Sequence, residues 1–233
     1  MIDIVHTSYV SLSQEPGESC LQPNEFIDAD HPAIQAYATA AIEGASTEAE
    51  KAVKLYYAVR DPLIYAPYHC YLPREKYKAS AILADKKGYC VPKSLVLVAM
   101  ARAVGIPSVL GLADVKNHLA TEKMTKMTGD SPYFHGYAVF WVEGKWVKAS
   151  PAFNLSMCER FDVRPLEFNG HDDALMHEFD RQDRRHMEYL RDHGAFSEFP
   201  YELSEKVLWE RFPLLMETLK NNQVGDTENE KFA

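Results

Sequence analysis

The sequence predicts an α+β fold: one buried helix packed on a mainly antiparallel sheet, with further helices on the flanks. Three observations carry that expectation. Residues 91–104 are apolar on nearly every side, as a helix enclosed by its neighbours must be. Two segments rich in β-formers, 134–142 and 145–150, meet at Glu143-Gly144, a two-residue hairpin signal. Helical spacing dominates both before and after them, an order that separates helices from an antiparallel sheet.

Taken in order, residues 1–30 show no sustained period. Asp28-Ala29-Asp30-His31-Pro32 reads as a helix start, with Asp30 as N-cap and Pro32 in the first turn, and a helix follows over 33–42. Ser46-Thr47 with Glu48 and Glu50 opens a second helix running to about Val59, where Ala52, Val53, Leu55, Tyr56 and Val59 repeat at helical spacing. Residues 63–71 are aromatic, interrupted by Pro67, and read as irregular. A short helix over 79–86 precedes the buried one, which has Pro92 in its first turn and Gly105 as its C-terminal cap. Residues 106–115 read as a strand and 116–133 as a long polar connection. Helical signals return around 172–192 and 203–220. Residues 1–220 are expected to form a single domain, with 221–233 a flexible tail. No internal repeat or low-complexity block is present.

Composition excludes several classes of function. The formal charge is −9, from 34 acids against 25 bases, and the bases are scattered; a nucleic-acid partner is not expected without a basic footprint. No stretch is apolar and long enough for a bilayer span, and Met1 to Cys20 lacks a basic-then-apolar leader pattern, so no membrane association and a cytoplasmic location are expected. Cys20, Cys70, Cys90 and Cys158 are far apart with no CxxC pair, which argues against a zinc ribbon or a disulfide scaffold.

One of these cysteines stands out from its surroundings. Cys90 sits at the mouth of the buried helix, where unsatisfied N–H groups and the positive end of the helix dipole favour a thiolate. Gly88 allows close backbone approach just before it. The ordinary alternative, a cysteine that merely packs, has about even odds on local sequence alone. His135 begins the following strand. With Glu143 and Gly144 as the two loop residues, Val142 faces Lys145, Tyr137 faces Ser150 and His135 faces Ala152, so His135 and Ser150 share a face as diagonal neighbours. A lone histidine in such a strand is more often a core residue than a base. Its conjunction with the Cys90 helix and a neighbouring polar group singles it out.

At these residues the chain resembles the transglutaminase-like superfamily. The residues carrying the resemblance are Gly88-Tyr89-Cys90 opening a helix, Gly105-Ile106-Pro107 closing it, His135-Gly136-Tyr137 starting a strand, Glu143-Gly144-Lys145-Trp146-Val147 at the turn, and Ser150-Pro151. They lie within about residues 50–155. The chain departs from the family at the third position, where an aspartate usually orients the histidine and this sequence has Ser150. A serine hydroxyl accepts a hydrogen bond but carries no charge. Asn154 is the equal candidate, with Asp114 and Asn117 as outside ones.

The resemblance implies a papain-like fold and acyl transfer through a Cys90 thioester, with His135 as base and the Cys90 N–H as oxyanion donor. Tyr89, Tyr71 and His69 are candidates for a second donor. The acyl donor is a peptide, protein or small amide, and no cofactor is implied. Tyr89, Asn117, His118 and Tyr137 are the expected substrate contacts. The connection over 116–134, with Met124 and Met127, is read as a cover for the site or else as a solvated connector. Two other readings remain: a non-catalytic binding module keeping the fold, and a metal-dependent hydrolase using Cys90, His118 and His135. His171, His177, His186 and His193 lack the i, i+4 spacing of a helical metal clamp, and a solvated charged face is their default.

Overall fold

The structure, a computed structural model, describes residues 8–69, 73–118, 120–175, 180–184 and 186–221. Cys70, Tyr71, His177 and nearly all of the expected tail lie outside the described residues.

Three helices come first: α1 (Pro32–Ala41), α2 (Glu48–Arg60) and α3 (Ala79–Asp85). The first begins one residue before the expected 33–42, and its cap is His31, whose side chain accepts the Ala33 N–H, and not Asp30. The second opens with the expected capping box: Thr47 takes the Glu50 N–H, and the Glu50 carboxylate reaches back to the Thr47 N–H. Then α4 (Cys90–Ala103) enters with thirteen of its residues buried, and Gly105 turns the chain out at φ +82°.

Five strands form the main sheet: β1 (Tyr9–Val10), β4 (Ser108–Asn117), β5 (Tyr133–Val142), β6 (Lys145–Ala149) and β7 (Met187–Phe196), in the order β1-β7-β4-β5-β6. Every pairing in it is antiparallel. A small parallel pair, β2 (Ile64–Tyr65) with β3 (Lys87–Gly88), leads into α4. The β5–β6 turn is the expected two-residue one, with Glu143 and Gly144 at φ +50° and +84°. Val142 faces Lys145 and the register continues to Ala138 opposite Ala149. There it stops. Ser150 gives its N–H to the Ala174 carbonyl and Pro151 has none to give, so the expected Tyr137–Ser150 and His135–Ala152 pairs do not form.

One face of the sheet packs on α4: Leu110, Leu112, Ala138, Phe140 and Val142 join Leu95, Val98 and Ala99 in the main core. Gly136 allows the closest approach, since a Cβ there would lie 2.8 Å from the Val91 Cα. The other face buries Val109, Ala113, Tyr137, Val139 and Ala195 beneath the N-terminal segment, which includes Cys20.

Four regions differ from the sequence reading. The segment over 172–192 is not helical; it is irregular where described and then becomes β7. The connection after β4 contains a helix, α5 (Glu122–Thr128), capped by Thr121. A short helix, α6 (Leu155–Arg160), follows β6. The terminal helical signal is split at Pro213 into α7 (Tyr201–Arg211) and α8 (Pro213–Lys220). Among the described residues, no helix is long and apolar enough to cross a membrane.

Candidate active site

The N-terminus of α4 meets β5 where β6 has parted from it. Tyr89 is the N-cap and offers no side-chain cap to the first turn, so the α4 amides face the site. Cys90 is the first residue of the helix and 7% exposed. Its thiol donates to the Phe134 carbonyl, 3.8 Å away, and the nearby amides of Gly136, Val91 and Cys90 itself act to lower its pKa. Burial still outweighs these donors and pushes the thiol up to about 11. The helix-mouth argument for a preformed thiolate is therefore corrected: dipole and amides are present, but desolvation is the larger effect.

His135 lies on the neighbouring residue of β5, 7% exposed, with Tyr137 stacked at 6.5 Å and Tyr189 edge-on at 6.0 Å. Its Nε2 is 3.2 Å from Ser150 Oγ. Ser150 is held firmly, with its N–H on Ala174 and its carbonyl accepting from Tyr56 Oη at 3.2 Å. Cys90 and His135 line one cavity.

The other candidates separate. Asn154 is buried, and its side-chain oxygen takes the Tyr65 N–H at 3.0 Å while its amide donates to Ser156 Oγ at 2.7 Å, which ties β2 to α6. Asp114 is held by Arg211 from α7 and by His193, whose Nε2 is 3.1 Å away; burial resists, but these two partners hold its carboxyl down at about 2. That carboxylate clamps α7 to the sheet. Tyr89 and Asn117 line the cavity with Cys90, as expected, and Tyr89 Oη bonds to Tyr77 Oη at 2.9 Å. Tyr137 does not line it: two residues along from His135 on the same face, it runs under the sheet, 1% exposed, with its hydroxyl on Asp192. His118 also falls outside the lining, with Nε2 2.9 Å from Glu188. His69 lies 3.8 Å from Asp85 and is likewise outside the lining. Among the described residues no group of three or more His, Cys, Asp or Glu is placed to hold a metal.

Sequence reasoning missed most of the cavity wall. Met124 comes from the expected cover segment, but Met187 is on β7, and Leu208, Phe212, Leu215, Met216 and Leu219 come from α7, α8 and the junction between them. The signal was available: positions 212, 215, 216 and 219 follow the i, i+3, i+4, i+7 pattern of an apolar helix face.

Comparison with known proteins bears on this arrangement. The model of the transglutaminase-like superfamily matches residues 35–151. A comparison with curated proteins finds no match. Among solved structures, the chain is similar to a proposed cysteine protease from Cytophaga hutchinsonii, at 15% identity and a TM-score of 0.46, over 62% of this chain and 45% of that one. It is also similar to a proposed protease from Parabacteroides distasonis (20% identity, TM-score 0.35, 50% of this chain and 22% of that one). A third similarity is to a TGase (19% identity, TM-score 0.36, 54% and 33%). The chain spans less than half the length of each of these proteins.

Proposed function

The chain belongs to the transglutaminase-like superfamily, and from that membership we propose that it performs thiol-dependent acyl transfer or hydrolysis with Cys90 as nucleophile and His135 as base. The observation that carries the reading is that both side chains line one cavity while Ser150 engages the Nε2 of the imidazole. Nδ1 is then the nitrogen that exchanges a proton with the thiol. Burial favours the neutral thiol, so proton transfer accompanies attack. The sulfur bonds to the acyl carbon as Nδ1 takes the thiol proton. The carbon–nitrogen bond breaks as that proton passes to the leaving amine. Water or a second amine, deprotonated by His135, then cleaves the thioester and regenerates the thiol. The Cys90 and Val91 N–H groups supply a donor pair for the developing oxyanion.

The direct test is chemical. Iodoacetamide is expected to label Cys90 faster than Cys20 and Cys158, which are buried with raised pKa values and line no part of this cavity. Equal labelling of all cysteines, read by peptide mass spectrometry, counts against the proposal.

Ser150 gives a graded test. Its neutral hydrogen bond contributes about 1 kcal/mol, so Ser150→Ala is expected to lower kcat by about fivefold. Ser150→Asp places a negative charge beside the imidazole and is expected to move the acid limb of the pH–kcat/KM profile to higher pH. An unmoved limb removes Ser150 from the orienting role. The second reading, a binding module without turnover, draws on the same residue: a hydroxyl stabilises an imidazolium less than a carboxylate does. On that reading Cys90→Ala leaves ligand affinity unchanged and the wild type turns over no ester or amide.

A further inference from the structure

Among the described residues twenty-two line the cavity at Cys90, and none of these is an aspartate, glutamate, lysine or arginine. The cavity itself encloses about 120 Å³ and opens to solvent at its mouth. Four methionines, Met124, Met157, Met187 and Met216, stand among aromatic and aliphatic walls. Methionine surfaces adapt to varied apolar ligands.

The polar atoms in that wall are largely spent on each other. Thr128 Oγ1 bonds to Tyr133 Oη at 2.9 Å and donates to the Met124 carbonyl. Thr121 Oγ1 caps α5, and Tyr89 Oη is on Tyr77. A charged or strongly hydrogen-bonding side chain entering here would lose its hydration without gaining a counter-charge. The outer wall, Leu208, Phe212, Leu215 and Met216 with Tyr68, forms an apolar cluster separate from the main core.

We infer that the group delivered to Cys90 is an uncharged acyl group with an extended apolar chain, seated in the cavity between α5, α8 and β7. The inference rests on Cys90 and His135 being the reacting pair, and it deepens that reading by selecting the acyl side of the substrate. The carbonyl sits at Cys90 and the chain runs toward Met216 and Leu219.

Two measurements test it separately from the chemistry. In the first, kcat/KM of the wild-type protein is measured for 4-nitrophenyl acetate, butyrate, hexanoate and octanoate. Each added methylene transferred into an apolar site is worth about 0.8 kcal/mol, so the ratio is expected to climb by about fourfold per methylene. Met216→Glu is expected to flatten that slope and Met216→Leu to keep it. In the second, calorimetry on Cys90→Ala compares acetamide, octanamide and 8-aminooctanamide. Octanamide is expected to bind tightest, and the cationic end of 8-aminooctanamide to erase the gain. Turnover independent of chain length, with octanamide binding no better than acetamide, overturns the inference and leaves the thiol chemistry standing. Chain-length-dependent binding without any turnover upholds the apolar site and overturns the chemistry. Neither turnover nor binding overturns both.

Discussion

Cys90→Ala and His135→Ala are each expected to lower kcat for ester or amide cleavage by on the order of 10⁴ to 10⁶, and the double variant by no more than the larger single loss. The expectation follows from how the two side chains work. A sulfur whose proton is held by burial attacks only if a base removes that proton, and an imidazole without a nucleophile beside it has no acyl carbon to serve. Groups that act on one proton in one step fail together, so their losses do not add. The α4 amides remain in all three variants, and so does the cavity, leaving a small residual rate from binding and oxyanion stabilisation. Neither change is expected to unfold the protein: Cys90→Ala removes one buried sulfur, and His135→Ala removes a ring at the cavity edge. Thermal unfolding alongside the kinetics separates loss of chemistry from loss of structure. Losses that multiply in the double variant would mean that the two side chains act on separate steps, and the proposed pair would be withdrawn.

The parts of the fold set by local signals were legible in the sequence. The all-round apolar run of α4, the capping box of α2 and the Glu143-Gly144 turn are each decided within a few residues, and each appears where its pattern lies. The hairpin register brought His135 and Ser150 to one neighbourhood, and they do meet. They meet because the chain leaves the ladder at Ser150 to bond Ala174, a long-range event that no hairpin count contains. The strand β7 was not legible for a related reason. Its sequence, Met-Glu-Tyr-Leu-Arg-Asp-His-Gly-Ala-Phe, lacks clean alternation and carries charges, and it is a strand because β4 pairs with it across two register shifts. Asn154 was a candidate because papain-like relatives use an asparagine to orient the histidine, and Tyr137 because it lies two residues from His135. One is spent tying β2 to α6 and the other is buried under the sheet. The thiolate expectation failed on magnitude: the helix end supplies donors, but complete burial outweighs them.

Lys93, one turn along α4 from Cys90, carries the largest expected effect on stability. It is 0% exposed, and its Nζ donates to the carbonyls of Arg60 and Ala152, each at 2.8 Å. Burial pulls its pKa down to about 7; the nearby Asp61, Cys158 and Cys90 push it back up, while Arg60 adds to the fall. In the unfolded chain the same amine titrates near 10.4. Between pH 7 and about 10.4 the unfolded state therefore holds a proton that the folded state has given up, and the free energy of unfolding rises with pH across that window at up to about 1.4 kcal/mol per pH unit. Below pH 7 both states are protonated and the contribution is flat. Lys93→Met keeps the length of the side chain and removes the titration. It also strips two buried carbonyls of their donor, at about 1–3 kcal/mol each. The expected result, from urea unfolding at intervals between pH 6 and 10, is a stability gap between wild type and variant that widens steadily as pH rises. The buried thiols titrate the other way, holding protons longer in the folded state, and because Cys90 and Cys158 feel Lys93 their contribution cancels only in part between the two proteins. At pH 6, where the wild type keeps a charge in its core, removing that charge offsets part of the lost hydrogen bonding and the gap is smallest. Parallel curves would mean that the amine titrates alike in both states, and that the helix beneath Cys90 is not closed over an uncharged lysine.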